Sequence, residues 1–232
     1  MKPAPGTLRL ASLLATLPAT LSLSGCTGLL HSSAPAEQTY YLRPPAALTA
    51  SRAAAGSDGE TLPTPGASLR VGHPLADPGV DSSHIMLVEA DHRMNFYAGS
   101  RWPAPVADVI EALALETLRA SGAWSSVQDS TSPFPSDYLL QVAVRRFEAD
   151  YTGGGTVPEV HVTLDCILGR REGRDVVASF VVSGTALAAA NRISSVVGAF
   201  EQAAGAALTS LSQQATQAVR SAPAAASSGV AK

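Results

Sequence analysis

A run of alternating apolar and polar residues constrains the fold more than any other feature of the chain. Its apolar members are Val160, Val162, Leu164, Cys166 and Leu168, and its polar members are Glu159, His161, Thr163 and Asp165. Only an extended strand places every second side chain on the same face. The segment therefore predicts a strand with one buried and one wetter face, as is common in antiparallel sheets.

Strand-like segments lie on both sides of this run. Residues 138–145 alternate before it, and residues 176–182 continue the pattern after a glycine-containing turn at 169–173. The connections are shorter than the dozen or so residues that a helical crossover needs, so we predict a three-stranded antiparallel meander. The segments "LRVGHP" and "HIMLVEA", residues 69–74 and 84–90, predict two earlier strands, and Val127 marks a further short one.

Two segments have helical rather than strand periodicity. The first begins near Pro103 and ends at Gly122, with a stripe formed by Val106, Val109, Ile110, Leu113, Thr117 and Leu118. The second runs from a cap at Asn191 to about Val219, with a stripe formed by Ile193, Val196, Val197, Phe200, Ala204, Leu208 and Leu211. Its other faces are largely Ala, Ser and Gln, which fits either packing against another subunit or a helix with no interface. The predicted fold is α+β, a single antiparallel β-sheet with two helices packed on one face.

The first 25 residues have the features of a bacterial export signal. Lys2 and Arg9 provide a positive start, residues 10–23 are apolar, and Leu23-Ser24-Gly25-Cys26 resembles the lipobox of bacterial lipoproteins. We therefore predict cleavage before Cys26 and fatty acylation of its thiol, which attaches the chain to a membrane. The alternative is an ordinary signal peptide, cleaved after Ala19 or Gly25. Thr27 stands where an Asp usually favours inner-membrane retention, so the resemblance implies the outer membrane and the periplasm.

The predicted mature chain, residues 26–232, has a mildly acidic composition. It carries 14 basic and 19 acidic side chains, a formal charge of 14 − 19 = −5. Nucleic-acid binding requires a basic surface, so nucleic acid is excluded as a partner. Acylated Cys26 would leave Cys166 without a disulfide partner, and an unpaired thiol in an oxidising compartment is expected to be buried.

Composition also divides the chain into regions. Residues 26–68 predict a lipidated tether followed by a Pro-, Ala- and Gly-rich loop, with a short strand near Tyr40-Tyr41-Leu42. The folded domain is predicted over residues 69–220, and residues 221–232 are expected to form a disordered tail.

The sequence contains no pattern typical of an enzyme. There is no G-x-S-x-G turn, no H-E-x-x-H and no C-x-x-C. Ser83 and His84 are adjacent, but neighbouring side chains of a strand point to opposite faces. Gly153, Gly154 and Gly155 lie between two strands, without the helix and Lys-Ser/Thr pair of a phosphate-binding loop. We therefore predict no catalytic residue, no metal site and no cofactor.

Two segments are candidates for partner contact. Arg93, Tyr97, Arg101 and Trp102 lie within ten positions, and aromatic and Arg side chains are enriched at interface hot spots. The same residues also have a structural interpretation, because a Trp just before a helix fixes the entering chain to the core. The second candidate is the glycine tip Gly153–Gly155, since exposed loop tips often contact partners.

Taken together, these parts resemble the ABC-type transport auxiliary lipoproteins, the PqiC-like family. The resemblance consists of the lipobox Cys26, the Tyr40-Tyr41-Leu42 run, a Tyr followed by Arg101-Trp102-x-x-Pro105, a Tyr-initiated strand at Tyr138 and the long closing helix. It covers residues 26 to about 220. The loop at residues 43–68 is longer than the family pattern.

The resemblance implies a non-enzymatic role at the outer membrane. Family members accompany an ABC ATPase, a permease and MCE-domain proteins that move phospholipids or other hydrophobic compounds, and they are thought to dock the periplasmic conduit. Homo-oligomerisation around a symmetric MCE assembly is a further hypothesis. Two other classes stay open: a carrier of lipids or small ligands with a cavity between sheet and helices, and a structural lipoprotein that regulates a cell-wall synthase.

Overall fold

The computed structural model describes residues 36–44 and 66–222. Nine strands and two helices lie within these residues: β1 (Gln38–Thr39), β2 (Ser68–Val71), β3 (Leu75–Ala76), β4 (His84–Val88), β5 (Met94–Arg101), α1 (Val106–Ala120), β6 (Ser126–Gln128), β7 (Tyr138–Asp150), β8 (Glu159–Arg170), β9 (Val176–Leu187) and α2 (Ile193–Ser221). Cys26, the signal segment 1–25, most of the predicted loop at 45–65 and the tail 223–232 lie outside the described residues.

The predicted meander is present. Strands β7 and β8 pair antiparallel from Tyr138 opposite Arg170 to Asp150 opposite Glu159. Strand β9 then pairs antiparallel with β8 along nearly its whole length. The alternation that predicted β8 is also confirmed, because its apolar residues are all buried.

The rest of the sheet corrects the prediction of a single antiparallel sheet. Three short strands, β2, β3 and β4, lie end to end along the other side of β7, and all three are parallel to it. Strand β6 is parallel to β2, β4 pairs antiparallel with β5, and β1 is parallel to β5. The domain is α+β, but its nine-stranded sheet is mixed. The parallel pairs that involve β6 and β7 arise because the chain passes through α1 before it returns to the sheet, which allows strands on either side of the helix to run in the same direction.

Strand β5 was not predicted from the sequence. It forms a hairpin with β4, with Phe96 opposite Met86 and Met94 opposite Val88. The turn between them contains His92 at φ 65°. Most β5 side chains are exposed and only Ser100 is buried, so the segment lacks the apolar alternation that marks a half-buried strand.

The chain enters the folded domain well before Leu69. Strand β1 lies beside β5, the backbone N–H of Tyr40 donates to the carbonyl of Arg101 at 2.8 Å, and Leu42 is a buried member of the core. Arg43 also forms an ion pair with Glu201 of α2 at 3.1 Å. Residues 36–44 are therefore part of the domain and not of a tether, which corrects the predicted boundary.

The core lies between the sheet and the two helices. Helix α2 packs on β8 and β9, helix α1 packs on β2, β3 and β6, and the helices contact each other, so both cover the same face. The stripe predicted for α1 is entirely buried, and so is that of α2 except for the half-buried Ile193. Neither helix among the described residues combines the length and mean hydropathy needed to cross a bilayer.

Cys166 lies in this core, as predicted for an unpaired thiol. Its exposed fraction is 1%. Burial raises the pKa of the thiol to about 12, so it is neutral at physiological pH. Because the thiolate is the nucleophilic form, Cys166 is a packing residue and not a reactive one.

A β-bulge at Arg145 reverses the alternation of β7. Val144 pairs with Leu164 and Arg146 with Thr163, so Arg145 is the extra residue. Before the bulge the buried residues are Leu140, Val142 and Val144, and after it they are Phe147 and Ala149. The bulge places the Arg145 guanidinium 2.8 Å from Asp77 and 2.6 Å from Asp165.

Asp137 links the start of β2 to the start of β7. Its carboxylate accepts hydrogen bonds from the backbone N–H of Ser68 at 2.6 Å and from the Ser68 hydroxyl at 2.7 Å. Both bonds lower the pKa of Asp137, and the bond from the Ser68 backbone has the larger effect. Because the pKa is lowered in the folded state, the stabilisation is present above the unfolded pKa, and it is lost as pH falls through the folded pKa.

We expect Asp137→Asn to lower the free energy of unfolding by about 1 kcal/mol at pH 7, since the variant replaces a charged acceptor with a neutral one. The difference from the native chain should shrink as pH falls below about 4, where the carboxylate takes up a proton in the unfolded state first and in the folded state at lower pH. Urea unfolding between pH 3 and pH 7 measures it. The matched control is Glu116→Gln, which alters an exposed carboxylate of α1. If the difference in unfolding free energy between Asp137→Asn and the native chain stayed constant with pH, the role assigned to Asp137 would be contradicted.

Candidate partner-binding surfaces

Arg93, the first candidate contact, is part of the β4–β5 turn. Its Nη2 lies 2.7 Å from Glu89 Oε2 and its Nε lies 2.7 Å from Asp91 Oδ2. The side chain is exposed, but two carboxylates already neutralise its charge. The structure therefore gives Arg93 a local role in closing the turn.

Trp102 lies in the core and is not exposed to a partner. Its exposed fraction is 0%, and its ring packs edge-on against Phe147 and Phe200, with centroids 5.7 and 5.2 Å away. Its backbone N–H donates to the carbonyl of Ser83 at 2.6 Å. Of the two interpretations, the structure supports the one in which the Trp fixes the chain to the core before α1.

Tyr97 connects three parts of the fold through its hydroxyl group. That hydroxyl lies 2.9 Å from the hydroxyl of Tyr151, which donates to the side-chain oxygen of Asn191 at 2.7 Å. Burial, together with the bond to Tyr151, raises the pKa of Tyr97, so the phenol stays protonated. Asn191 was predicted to cap α2, but Arg192 is the residue at the cap, and no side chain caps this helix.

Arg101 fixes the entering segment to the domain. Its Nη2 donates to the Ser83 hydroxyl at 2.9 Å, and its Nη1 lies 3.3 Å from Glu37 Oε2. The residue is half-buried. The Arg-Trp pair of the sequence therefore acts as a structural unit, with Trp102 in the core and Arg101 holding residues 36–44.

The glycine tip Gly153–Gly155 is exposed between β7 and β8, as predicted. Gly154 has φ 73°, a conformation that favours glycine, and a Cβ on Gly153 or Gly154 would meet no other atom within 4 Å. Of the candidate contacts, this tip is the one that stays accessible, because the side chains of the others form ion pairs, hydrogen bonds or packing contacts within the domain. Nothing in its geometry defines a ligand.

Strand β9 forms a free edge of the sheet, which the sequence did not reveal. Among the described residues, β9 pairs only with β8. Its 12 residues, VVASFVVSGTAL, include no charge and no proline. Natural edge strands are usually protected by charges, prolines, bulges or short length. The pairing of β9 with β8 shifts register between Val176 and Ala178, but from Ala178 to Leu187 the strand has no charge, no proline and no further shift. The backbone donors and acceptors of this stretch are available to another strand.

Two groupings of polar side chains contain residue types that are used in chemical sites. His84 Nδ1 lies 3.2 Å from the hydroxyl of Ser82, but that hydroxyl also accepts the backbone N–H of His84, and the described residues supply no carboxylate to orient the ring. His73 Nδ1 lies 2.9 Å from Glu111 Oε2 and 3.9 Å from Asp108 Oδ1, a grouping of metal-ligand types that the sequence did not predict. In the structure it is a polar cluster that joins the β2–β3 loop to α1 through the hydrogen bond between His73 and Glu111.

Comparison with known proteins identifies relatives of this chain. The family model described as the ABC-type transport auxiliary lipoprotein component matches residues 47–220. A crystal structure of a Xanthomonas campestris protein of the DUF330 family has a TM-score of 0.64 and 25% identity, over 80% of this chain and 95% of that chain. A second crystal structure, of an uncharacterized protein, has a TM-score of 0.57 and 12% identity, over 80% of this chain and 99% of that chain, and shows the fold alone. No curated protein matches.

Proposed function

Because the chain belongs to the ABC-type transport auxiliary lipoprotein family, we propose that it is the lipid-anchored docking component of an MCE-type transport system at the outer membrane. In this proposal the protein is not an enzyme. It holds the periplasmic part of the transporter, whose ATPase and permease move phospholipids or other hydrophobic compounds. Family membership supports an envelope lipoprotein associated with an ABC transport system.

The strand at which the chain enters the domain and the docking edge lie at opposite edges of the sheet. Strand β1, where the chain enters the domain, is at one edge, and β9 is at the other, with β5, β4, β7 and β8 between them. Five strand spacings of about 4.8 Å separate the two edges by about 24 Å. A partner can therefore occupy β9 without contacting the segment that leads to Cys26.

The free edge of β9 is the observation that carries this proposal. An extended partner segment can add to it as a further strand, with main-chain hydrogen bonds providing affinity. Leu187, at the end of β9, is exposed by 65% and offers an apolar contact at that edge. Edge addition needs no catalytic group, and this agrees with the buried, neutral Cys166 and with the local bonding of Ser82 to His84.

Site-specific photo-crosslinking in intact envelopes tests the docking role. A photo-reactive residue at Thr185, an exposed position of β9, is expected to give adducts with MCE-domain protein. Ser183→Lys should reduce them about tenfold, because it places a charge on the uncharged edge. Ser125→Lys, at an exposed serine away from β9, should not. Cys26→Ser should release the protein from the membrane fraction.

Other outcomes distinguish the alternatives. Adducts between two copies of the chain would make β9 a homo-oligomer interface, and adducts with a cell-wall synthase would favour the regulatory role. Turnover of a substrate by the purified protein would overturn the non-enzymatic proposal.

A further inference from the structure

The face of the sheet opposite the helices contains a groove. It consists of two adjoining cavities of about 620 and 570 Å³, which share Gly72, His73, Leu139, Gln141 and Ile167 in their walls. Each cavity falls within the range of about 300–1,000 Å³ that is typical of small-molecule sites. We refer to the pair as the open-face groove.

One half of the open-face groove is apolar. Leu75, Ile167 and Val181 line it and are exposed by 72%, 42% and 61%. Leu139 and Ala143 complete the apolar wall, and the Arg145–Asp165 ion pair lies at its end. Large apolar side chains grouped on an exposed surface indicate a contact site, because isolated ones are normal and clusters are not.

The other half is cationic, although the chain as a whole is acidic. It is lined by Arg70, Arg170, Arg171 and Arg174, with Asp175 as the carboxylate in its wall. Within the described residues, Arg171 and Arg174 are exposed and form no ion pair. Arg70 donates from Nη2 to the neutral acceptors Gln128 Oε1 and the carbonyl of Phe134, and its buried Nε has no acceptor among residues 36–44 and 66–222. Guanidinium groups in excess over carboxylates favour an anionic ligand group.

The backbone around the groove favours an acyl chain over an extended peptide. The floor is formed by β7 and β8, and both strands already have neighbours on their two sides. The free edge of β9 is on the side away from β8. A peptide laid in the groove would leave its backbone polar groups without main-chain partners, whereas an acyl chain has none to satisfy. The excess of guanidinium groups over carboxylates lies at one end only, which also matches a molecule with one anionic head.

We propose that the open-face groove binds an anionic glycerolipid. An acyl chain lies against Leu75, Ile167 and Val181, and the phosphate is held by Arg70, Arg171 and Arg174. This goes beyond docking and does not depend on it, because the groove and the outer edge of β9 are separate surfaces.

Photo-crosslinking of the full chain in its native envelope tests this assignment. A photo-reactive residue replaces Val181, and the matched control replaces Leu187, which is on the same strand and face with similar exposure and lies outside the groove. Mass spectrometry of the adducts should detect phosphate-containing lipid at position 181 several-fold above position 187. Equal lipid labelling at the two positions, or labelling of position 181 mainly by polypeptide, would overturn the proposal.

The arginines are tested in the same background. The combined substitution Arg171→Gln and Arg174→Gln should lower the lipid adduct at position 181 about tenfold, since it removes two charge-assisted contacts from exposed side chains. Arg220→Gln, an exposed arginine at the end of α2, should leave the adduct unchanged. An adduct that does not respond to the double substitution contradicts the assigned phosphate site. Protein adducts from Thr185 report docking separately, so failure of one proposal is distinguishable from failure of the other.

Discussion

Gly184→Ala is expected to destabilise the protein by about 3 kcal/mol, a large effect for the addition of one methyl group. Gly184 lies on β9 directly against the backbone of α2. A Cβ at this position would lie 2.0 Å from the carbonyl oxygen of Ala203 and 3.0 Å from the backbone nitrogen of Ala207. Both atoms belong to the helix backbone, so no side-chain rotation can relieve the overlap, and α2 would have to move away from the sheet.

Gly198→Ala is the matched control for this substitution. Gly198 lies in α2 itself, and a Cβ there would meet no other atom within 4 Å. The same chemical change should therefore stabilise the helix by about 0.5–1 kcal/mol. Urea unfolding of the two variants measures both effects. Equal stability of Gly184→Ala and the native chain would show that α2 is not held against β9 as described.

Trp102→Ala is expected to lower the free energy of unfolding by about 3–5 kcal/mol, because it empties the centre of a buried aromatic cluster. Phe147 and Phe200 contact each other at a centroid distance of 4.9 Å, and Trp102 contacts both. These rings join β7, α2 and the chain before α1. The loss should therefore be cooperative across the domain and visible in thermal and urea unfolding.

Trp102→Phe separates packing from partner binding. The indole N–H of Trp102 is buried and has no acceptor within the described residues. Phe keeps an aromatic ring and removes that unsatisfied donor, so we expect a loss of only about 1 kcal/mol. A Trp102→Ala variant of native stability that failed to bind a partner would instead make Trp102 a contact residue.

Periodicity identified the elements that bury one face. The helices α1 and α2 and the strands β7, β8 and β9 each repeat apolar residues at the spacing of their own geometry, and the structure contains all five. Strand β5 was missed because most of its side chains are exposed, so burial imposes no pattern on its sequence. The role of residues 36–44 was missed because a single buried side chain, Leu42, produces no periodic pattern in the sequence.

The candidate surfaces depend on strand order, which local sequence does not encode. Strand β9 is a docking candidate because no described strand lies beyond it, and its own residues give no sign of that. The cationic half of the open-face groove combines Arg70 with three arginines about a hundred positions later, because β2 and β8 lie on either side of β7. Conversely, Arg93, Tyr97 and Trp102 are close in sequence but serve three separate parts of the structure.

If Cys26 is acylated as proposed, the early entry of the chain at β1 limits how far the domain can lie from the bilayer. Residues 27–37 separate Cys26 from the first strand, and fully extended they would span at most about 40 Å. The loop at residues 45–65 cannot lengthen this connection, since the chain on both sides of it belongs to the domain. An acylated Cys26 would keep the domain close to the lipid surface, so the partner would have to bridge most of the space between the two membranes itself.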